Sequence, residues 1–158
     1  MRGGAAVTDR PHLVGHVHLK VRDIEAASAF YTDVLGLETT ESHGRFQFLS
    51  WGDRHHDVAL QAVGADAPGP GRGVGLYHAA MEVTDGAALT AIYERLRDRG
   101  VDVTPVDHGI SKALYFEDPA GNGLEVYLDT RDENDQEHWA GRNEPFDPTA
   151  FSPDRTGD

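Results

Sequence analysis

The feature that most constrains the fold is an internal repeat. The segment "HVHLKVRD" at 16–23 is echoed by "HAAMEVTD" at 78–85, an offset of 62 residues, and both copies read H-x-x-x-x-V-x-D. Self-similarity at a fixed offset indicates two copies of one structural unit. In each copy the alternating segment predicts a strand, and a helix is predicted to follow it, with Asp23 and Asp85 as the N-cap residues.

Three short strands are predicted after each helix. They read "LETTES", "RFQFLSW" and "DVALQAV" in the first copy, and "VDVTPV", "KALYFED" and "GLEVYLD" in the second. The stretch "GADAPGPGRGVG" at 64–75 is too rich in Gly and Pro to hold regular structure, so it is predicted to be a linker. The predicted fold class is α+β: two tandem βαβββ modules at 13–63 and 76–129, within one domain at 13–130.

The composition limits the classes of partner. A chain of 158 residues with 39% hydrophobic and 26% charged residues is typical of one ordinary globular domain. The formal net charge of −13 repels phosphate backbones and anionic lipid surfaces, so we expect neither nucleic acid nor a membrane as a partner. The chain has no cysteine, and its first twelve residues lack the apolar core of a secretion signal, so a cytoplasmic location is expected.

Both ends of the chain are expected to lie outside the core. Residues 1–12 are predicted to be a flexible N-terminus. From Asp129 onward there are nine acidic residues against three arginines, and 131–158 is predicted to be an acidic tail on the surface, at best partly ordered. Three aromatic residues in the tail are too few for a second core and would instead fasten it to the domain or to a second subunit: Trp139, Phe146 and Phe151.

Polar residues occupy one face of the strands that the repeat defines. His16 and His78 open the first strand of each copy, and Glu125 alternates with Leu124 and Val126 in the last predicted strand. Because successive side chains point to opposite faces of a strand, the helix covers the apolar face and the polar face lines something else. Two imidazoles and one carboxylate suit a divalent metal of intermediate hardness. The same pattern also fits ordinary polar strand residues, and the residues alone leave both interpretations open.

The chain resembles the vicinal oxygen chelate superfamily, also described as the glyoxalase/bleomycin resistance/dioxygenase fold. The residues that carry the resemblance are "GHVHLKVRD", "FYTDVLGL", "HHDVAL", "GLYHAAMEV" and "DHGISKALYFEDPAGNGLEVY". Within the superfamily the chain is most similar to the one-domain type I extradiol (catechol 2,3-) dioxygenases. The resemblance implies that the two modules form a cupped mixed sheet around a metal site.

The resemblance also assigns a set of residues to the site. It implies that His16, His78 and Glu125 hold Fe(II), with Mn(II) as the alternative metal. In addition, "HHDVAL" matches the segment that supplies an acid/base histidine, which places that role on His56, with the adjacent His55 as an alternative.

The segment "DHGISKALYF" matches the part of the family that supplies a second histidine and a tyrosine near the substrate oxygens. The resemblance places these roles on His108 and Tyr115. A purely structural role for Tyr115, bridging two strands, stays open.

The activity that the resemblance implies is Fe(II)-dependent cleavage of a catechol-type aromatic diol by O2, in a protein expected to be a homodimer. One alternative is a glyoxalase-like metal-dependent lyase or epimerase, in which Gln61 would serve as a fourth ligand. The other is a non-catalytic protein of the same fold that binds a small molecule such as a drug.

Overall fold

The computed structural model describes residues 7–151, so the first six residues of the predicted N-terminal segment and the last seven of the predicted tail lie outside the described residues. The first module has the elements β1 (Val17–Val21), α1 (Ile24–Leu35), β2 (Glu38–His43), β3 (Phe46–Ser50) and β4 (Val58–Ala62). The second has β5 (Ala79–Val83), α2 (Gly86–Asp98), β6 (Thr104–Asp107), β7 (Ser111–Glu117) and β8 (Gly123–Asp129). Both follow the predicted βαβββ order, and the α+β class is confirmed.

The two long helices begin at the predicted aspartates. The side chain of Asp23 accepts a hydrogen bond of 3.0 Å from the backbone N–H of Ala26, and Asp85 accepts one of 2.8 Å from that of Ala88. These bonds satisfy backbone donors that have no partner within the first helical turn. Among the described residues, none of the helices combines the length and the apolar character that crossing a membrane requires.

Each module forms one four-stranded sheet. The strand orders are β1-β4-β3-β2 and β5-β8-β7-β6, and in both sheets the first and last strands of the module pair in parallel while the other pairs are antiparallel. Val17 pairs with Val58 in the first sheet, and Ala80 pairs with Glu125 in the second. Because β1 and β5 lie at sheet edges, the histidines that precede them also lie at an edge.

The two modules share one hydrophobic core. Phe30 on α1 packs against Phe116 on β7, with ring centroids 6.2 Å apart. The hydroxyl of the adjacent Tyr31 donates a buried hydrogen bond of 2.8 Å to Oδ2 of Asp118, which follows β7. Helix α1 of the first module is therefore packed directly on the second module.

The C-terminal segment is more ordered than the charge pattern indicated. It forms α3 (Arg131–Asn134) and a 3-10 helix (Pro148–Phe151), and Phe146 and Phe151 pack against the core as fastening residues. Thr90 on α2 donates a buried hydrogen bond of 2.6 Å to the carbonyl of Pro148. These contacts are of the fastening kind expected of the tail aromatics, and a few long-range bonds order the segment as far as Phe151, although it has no hydrophobic periodicity of its own.

Candidate metal and substrate site

Two of the predicted metal ligands meet in the second sheet. Nε2 of His78 lies 2.8 Å from Oε2 of Glu125, and the two side chains are 29% and 11% exposed. Glu125 is in β8, between β5 and β7, so both neighbouring strands fix its position. Nδ1 of His78 is buried and has no hydrogen-bond partner among the described residues. An imidazole and a carboxylate are thus held together in a partly buried site.

A glycine permits the close packing beside this pair. Gly123 opens β8, and a Cβ atom at this position would collide with the backbone carbonyl of Tyr77 and contact the side chain of His78. Any larger residue would push the start of β5 away from β8. The sequence "GNGLEVY" therefore sets the approach of His78 to Glu125 two residues further along the strand.

Tyr115 and His108 lie next to the pair. Tyr115 on β7 is directly opposite Glu125 in the antiparallel register, and its ring centroid is 5.7 Å from that of His78. Its hydroxyl is 2.8 Å from Nε2 of His108. Burial, and then the charge and hydrogen bonding of Glu125, raise the pKa of Tyr115 to about 12. The hydroxyl therefore stays protonated at neutral pH and is available as a hydrogen-bond donor.

His16 and His56 form a separate group in the first module. Their ring centroids are 4.3 Å apart, and Nδ1 of His56 is 2.9 Å from Nδ1 of His55. Nε2 of His55 is in turn 3.0 Å from Oε2 of Glu41. Burial, and then the neighbouring His16 and His55, lower the pKa of His56. A neutral His56 at physiological pH can accept a proton.

One histidine of each group, His16 and His78, lines the same cleft. A cleft of about 1090 Å³ between the modules is lined by His16 and His78, together with apolar residues such as Met81 and Ile92. Across residues 7–151, no three or more His, Cys, Asp or Glu side chains come close enough together to hold one metal ion. Within one chain, therefore, the structure assembles His78 with Glu125 and leaves His16 with His56, so the three-ligand set stays a prediction.

The remaining polar residues of the first sheet lie along the same face as His16. His18 and Lys20 are exposed, and Gln61 pairs in register with Lys20. The ring of His18 contacts the ring of Phe46 edge-on at 6.0 Å. Gln61 is thus on the polar face of its sheet, where a fourth-ligand role remains a prediction.

Contacts to the site from distant parts of the chain were not predicted from the sequence. His108 is bonded through Nδ1 to Asn143, 35 residues away, and its ring contacts Trp139 edge-on at 6.4 Å. Glu41 reaches His55 from the first hairpin, 14 residues away. Neither Asn143 nor Glu41 belongs to a motif, and only a three-dimensional arrangement reveals such partners.

Comparison with known proteins agrees with this fold. The family model described as "Glyoxalase/Bleomycin resistance protein/Dioxygenase superfamily" matches residues 13–126. The chain therefore belongs to the glyoxalase/bleomycin resistance protein/dioxygenase superfamily. Known members of this family include both dioxygenases and lyases.

Individual relatives fall into two chemical classes. The chain is 34% identical over 132 residues to biphenyl-2,3-diol 1,2-dioxygenase 3 of Rhodococcus globerulus, covering 78% of this chain and 66% of the relative. It is 32% identical over 117 residues to catechol-2,3-dioxygenase of Bacillus subtilis, covering 73% and 41%. A solved structure of lactoylglutathione lyase from Agrobacterium tumefaciens superposes with a TM-score of 0.58 at 26% identity, covering 75% and 94%. The chain thus spans about two fifths to two thirds of the length of the two dioxygenases.

Proposed function

We propose that this protein is an extradiol ring-cleavage dioxygenase that uses Fe(II), or alternatively Mn(II), to cleave a catechol-type aromatic diol with O2. The observation that carries the proposal is the His78–Glu125 pair with Tyr115 opposite Glu125 and His108 bonded to Tyr115. Similarity to two diol dioxygenases supports the same assignment. The formal net charge of −13 favours a small neutral or chelating substrate over a polyanion.

The donor set suits the proposed metals only in part within one chain. Fe(II) and Mn(II) bind both of these side chains, the imidazole of His78 and the carboxylate of Glu125. The buried Nδ1 atom of His78 has no hydrogen-bond partner among the described residues, so no other group competes for it. Among the residues that the structure describes, no third His, Cys, Asp or Glu side chain joins them in a group that could hold one metal ion. When bound, the metal would bring O2 and the diol oxygens together and exchange electrons with them.

We infer that a second copy of the chain supplies the third donor, in a homodimer. His16 and His78 each precede an edge strand, and three large apolar residues beside them are exposed: Val14, Leu76 and Tyr77. An isologous pair would bring His16 of one copy to His78 and Glu125 of the other, twice over. His56 contacts His16 and would accompany it into each shared site.

The side chains of the chain itself would handle the protons of the substrate. Nδ1 of His56 faces His55, so its Nε2 is the atom available to accept the proton of a substrate hydroxyl. Tyr115, whose raised pKa keeps its proton in place, would turn its O–H from Nε2 of His108 to a substrate oxygen as negative charge develops there. His108 would hold the tyrosine hydroxyl in position through the bond to Nε2.

The test is metal content and oxygen uptake of the full chain purified without oxygen. We expect bound iron or manganese by elemental analysis, O2 consumption with at least one member of a panel of mono- and bicyclic catechols, and a visible absorbance from the ring-opened product. Protein that retains iron or manganese and consumes no O2 with any catechol would contradict the proposed reaction. Protein that retains no metal would instead indicate a non-catalytic binding protein.

A glyoxalase-like lyase is the second candidate. The observation that favours it is the superposition on a lactoylglutathione lyase structure, of which the chain covers 94%. Gln61 on the polar face of β4 would then act as the additional ligand. Nickel or zinc in the purified protein, with no O2 uptake and with loss of that metal in Gln61→Ala, would support this candidate over the dioxygenase.

A further inference from the structure

The C-terminal segment Trp139–Glu144 is attached to the end of β6 next to the site. The backbone N–H of Asp107 donates to the carbonyl of Glu144 at 2.6 Å, and the N–H of Glu144 donates back to the carbonyl of Asp107 at 3.1 Å. Nη2 of Arg142 also bonds Oδ2 of Asp107 at 3.2 Å. Two backbone bonds and one charged pair thus fix the segment beside residue 108.

The carboxylate that anchors the segment is ionised. Burial acts to raise the pKa of Asp107, but the N–H of Gly109 and the cations Lys112 and Arg142 together lower it. The carboxylate therefore remains negative at neutral pH and keeps its bond to Arg142. The carbonyl of Arg142, which also accepts a bond of 3.0 Å from Nε1 of Trp139, is consequently held at a defined place.

Two oxygen atoms of this segment face the same nitrogen of His108. Nδ1 lies 2.7 Å from Oδ1 of Asn143 and 3.3 Å from the carbonyl oxygen of Arg142. A backbone carbonyl can only accept a hydrogen bond, so Nδ1 must carry the proton. A neutral imidazole has only one N–H, so Nε2 must be the acceptor. Nε2 then accepts a hydrogen bond of 2.8 Å from the hydroxyl of Tyr115.

We propose that Asn143 is a positioning residue that fixes His108 in the tautomer with the proton on Nδ1, so that its Nε2 presents a lone pair to Tyr115 and the site. The shorter of the two bonds to Nδ1 comes from Asn143, so this side chain makes the larger contribution. Asn143 acts through His108 and has no contact with the His78–Glu125 pair. The consequence for chemistry rests on the proposed function, whereas the tautomer itself does not.

The first test reads the tautomer directly. Ring-nitrogen NMR of the ¹⁵N-labelled full chain, loaded with diamagnetic zinc, distinguishes a protonated Nδ1 from a protonated Nε2, and the signals of His108 are identified by their absence in His108→Phe. We expect protonated Nδ1 in the unaltered chain and in Asn143→Asp, which keeps an acceptor. We expect a mixture of both tautomers in Asn143→Ala. Unchanged His108 signals in Asn143→Ala would overturn the proposal.

A matched control lies one residue further along. Glu144→Ala removes an exposed side chain that contacts Arg142 but leaves the backbone bonds to Asp107 and the carbonyl facing His108. We expect it to leave the His108 signals as they are. If Glu144→Ala changes them as much as Asn143→Ala does, the segment acts only as packing and the specific role of Asn143 is refuted.

The second test measures turnover, where the proposed dioxygenase reaction is observed. Acid and base groups contribute about 10²–10⁴-fold to rates, and a misdirected tautomer forfeits part of that factor. We expect Asn143→Ala to lower kcat by roughly tenfold with little change in KM, and to cause no further loss in a His108→Phe background, because both residues act as one unit. Full additivity would overturn the coupling. A changed tautomer in a protein without dioxygenase activity would refute the proposed function while leaving the positioning role intact.

Discussion

The hydroxyl of Tyr31 on α1 donates a hydrogen bond of 2.8 Å to the buried carboxylate of Asp118, 87 residues further along the chain. The bond joins the first module to the turn that leads into β8, the strand that carries Glu125. Asp118 also accepts the backbone N–H groups of Ala120 and Asn122 and the amide of Asn122. One carboxylate thus fixes both the turn and the packing of α1 on the second module.

Tyr31→Phe is expected to destabilise the protein by about 1–3 kcal/mol, because the carboxylate of Asp118 loses a buried donor. The lower half of that range is expected, since Asp118 keeps its three other donors. Urea denaturation followed by circular dichroism measures the free energy of unfolding. Tyr93→Phe, at the equivalent place on α2, is the control, and an equal loss in both variants would contradict this account.

Stability is expected to fall at high pH through tyrosines whose pKa is raised in the folded state. The pKa of Tyr31 is raised by burial and by Asp118, and the pKa of Tyr115 is raised to about 12. A tyrosine in the unfolded chain ionises near pH 10, as in model peptides. Between about pH 10 and 12 the folded state therefore holds protons that the unfolded state has lost, and the free energy of unfolding decreases as the pH rises.

Tyr115→Phe separates the contribution of one tyrosine. Urea denaturation at pH 9 and pH 11 is expected to show a smaller loss of stability in the variant than in the unaltered chain, since one of the three tyrosines with a raised pKa, Tyr31, Tyr115 and Tyr127, is removed. Lysines titrate alike in both proteins, so the comparison cancels them. An equal or larger loss in Tyr115→Phe would refute the assignment.

One variant is expected to lose the metal, and another is expected to keep the metal and lose only proton transfer. Glu125→Ala removes one donor of the pair that lies 2.8 Å apart, and we expect elemental analysis to show loss of bound iron or manganese. His56→Phe is expected to keep the metal and to lower kcat by about 10²–10⁴-fold, as for loss of a general base. Full activity in His56→Phe, or full metal content in Glu125→Ala, would contradict the respective role.

A site shared between two copies makes a sharper prediction. His16→Ala and Glu125→Ala are each expected to be inactive alone, because each removes one proposed ligand from both sites. When the two variants are unfolded together and refolded, mixed pairs would contain one site with an intact His16 from one copy and an intact Glu125 from the other. Recovered oxygen uptake is therefore expected in the mixture.

The control for this experiment is a mixture of His78→Ala with Glu125→Ala. Both of these residues belong to the same half of the site, so no mixed pair would contain an intact set. Absence of recovery in the first mixture would contradict a site built from two chains and favour one built within a single chain. Recovery in the control mixture would contradict the placement of His78 and Glu125 in the same half of the site.

The sequence predicted what depends on local signals. The repeat at offset 62 predicted both βαβββ modules, and the capping aspartates Asp23 and Asp85 marked the helix starts that the structure shows. His16 and His78 occupy equivalent positions of the repeat, but this equivalence does not determine how the two sheets are oriented relative to each other. That orientation separates His16 from His78 within one chain, and no local pattern carries it.

The C-terminal segment shows the other limit. Its aromatic residues were expected to fasten it, and Phe146 and Phe151 do pack against the core, but the partner that each contacts and the bond of Asn143 to His108 were not predicted. Each of these contacts joins residues tens of positions apart, and each involves a single side chain. Periodicity and propensity describe neighbours along the chain, so isolated long-range bonds of this kind are outside their reach.

The position of Phe151, the last residue that the structure describes, constrains the start of α2. A Cβ atom on Gly86 would collide with the side chain of Phe151, 2.4 Å from its Cγ, so the helix begins with a residue of poor helical propensity for a steric reason. Relatives that carry a small side chain at 151 are free to use alanine at 86. Substitutions at these two positions should therefore be correlated across evolution, and a design that stiffens the helix by Gly86→Ala must shrink Phe151 at the same time.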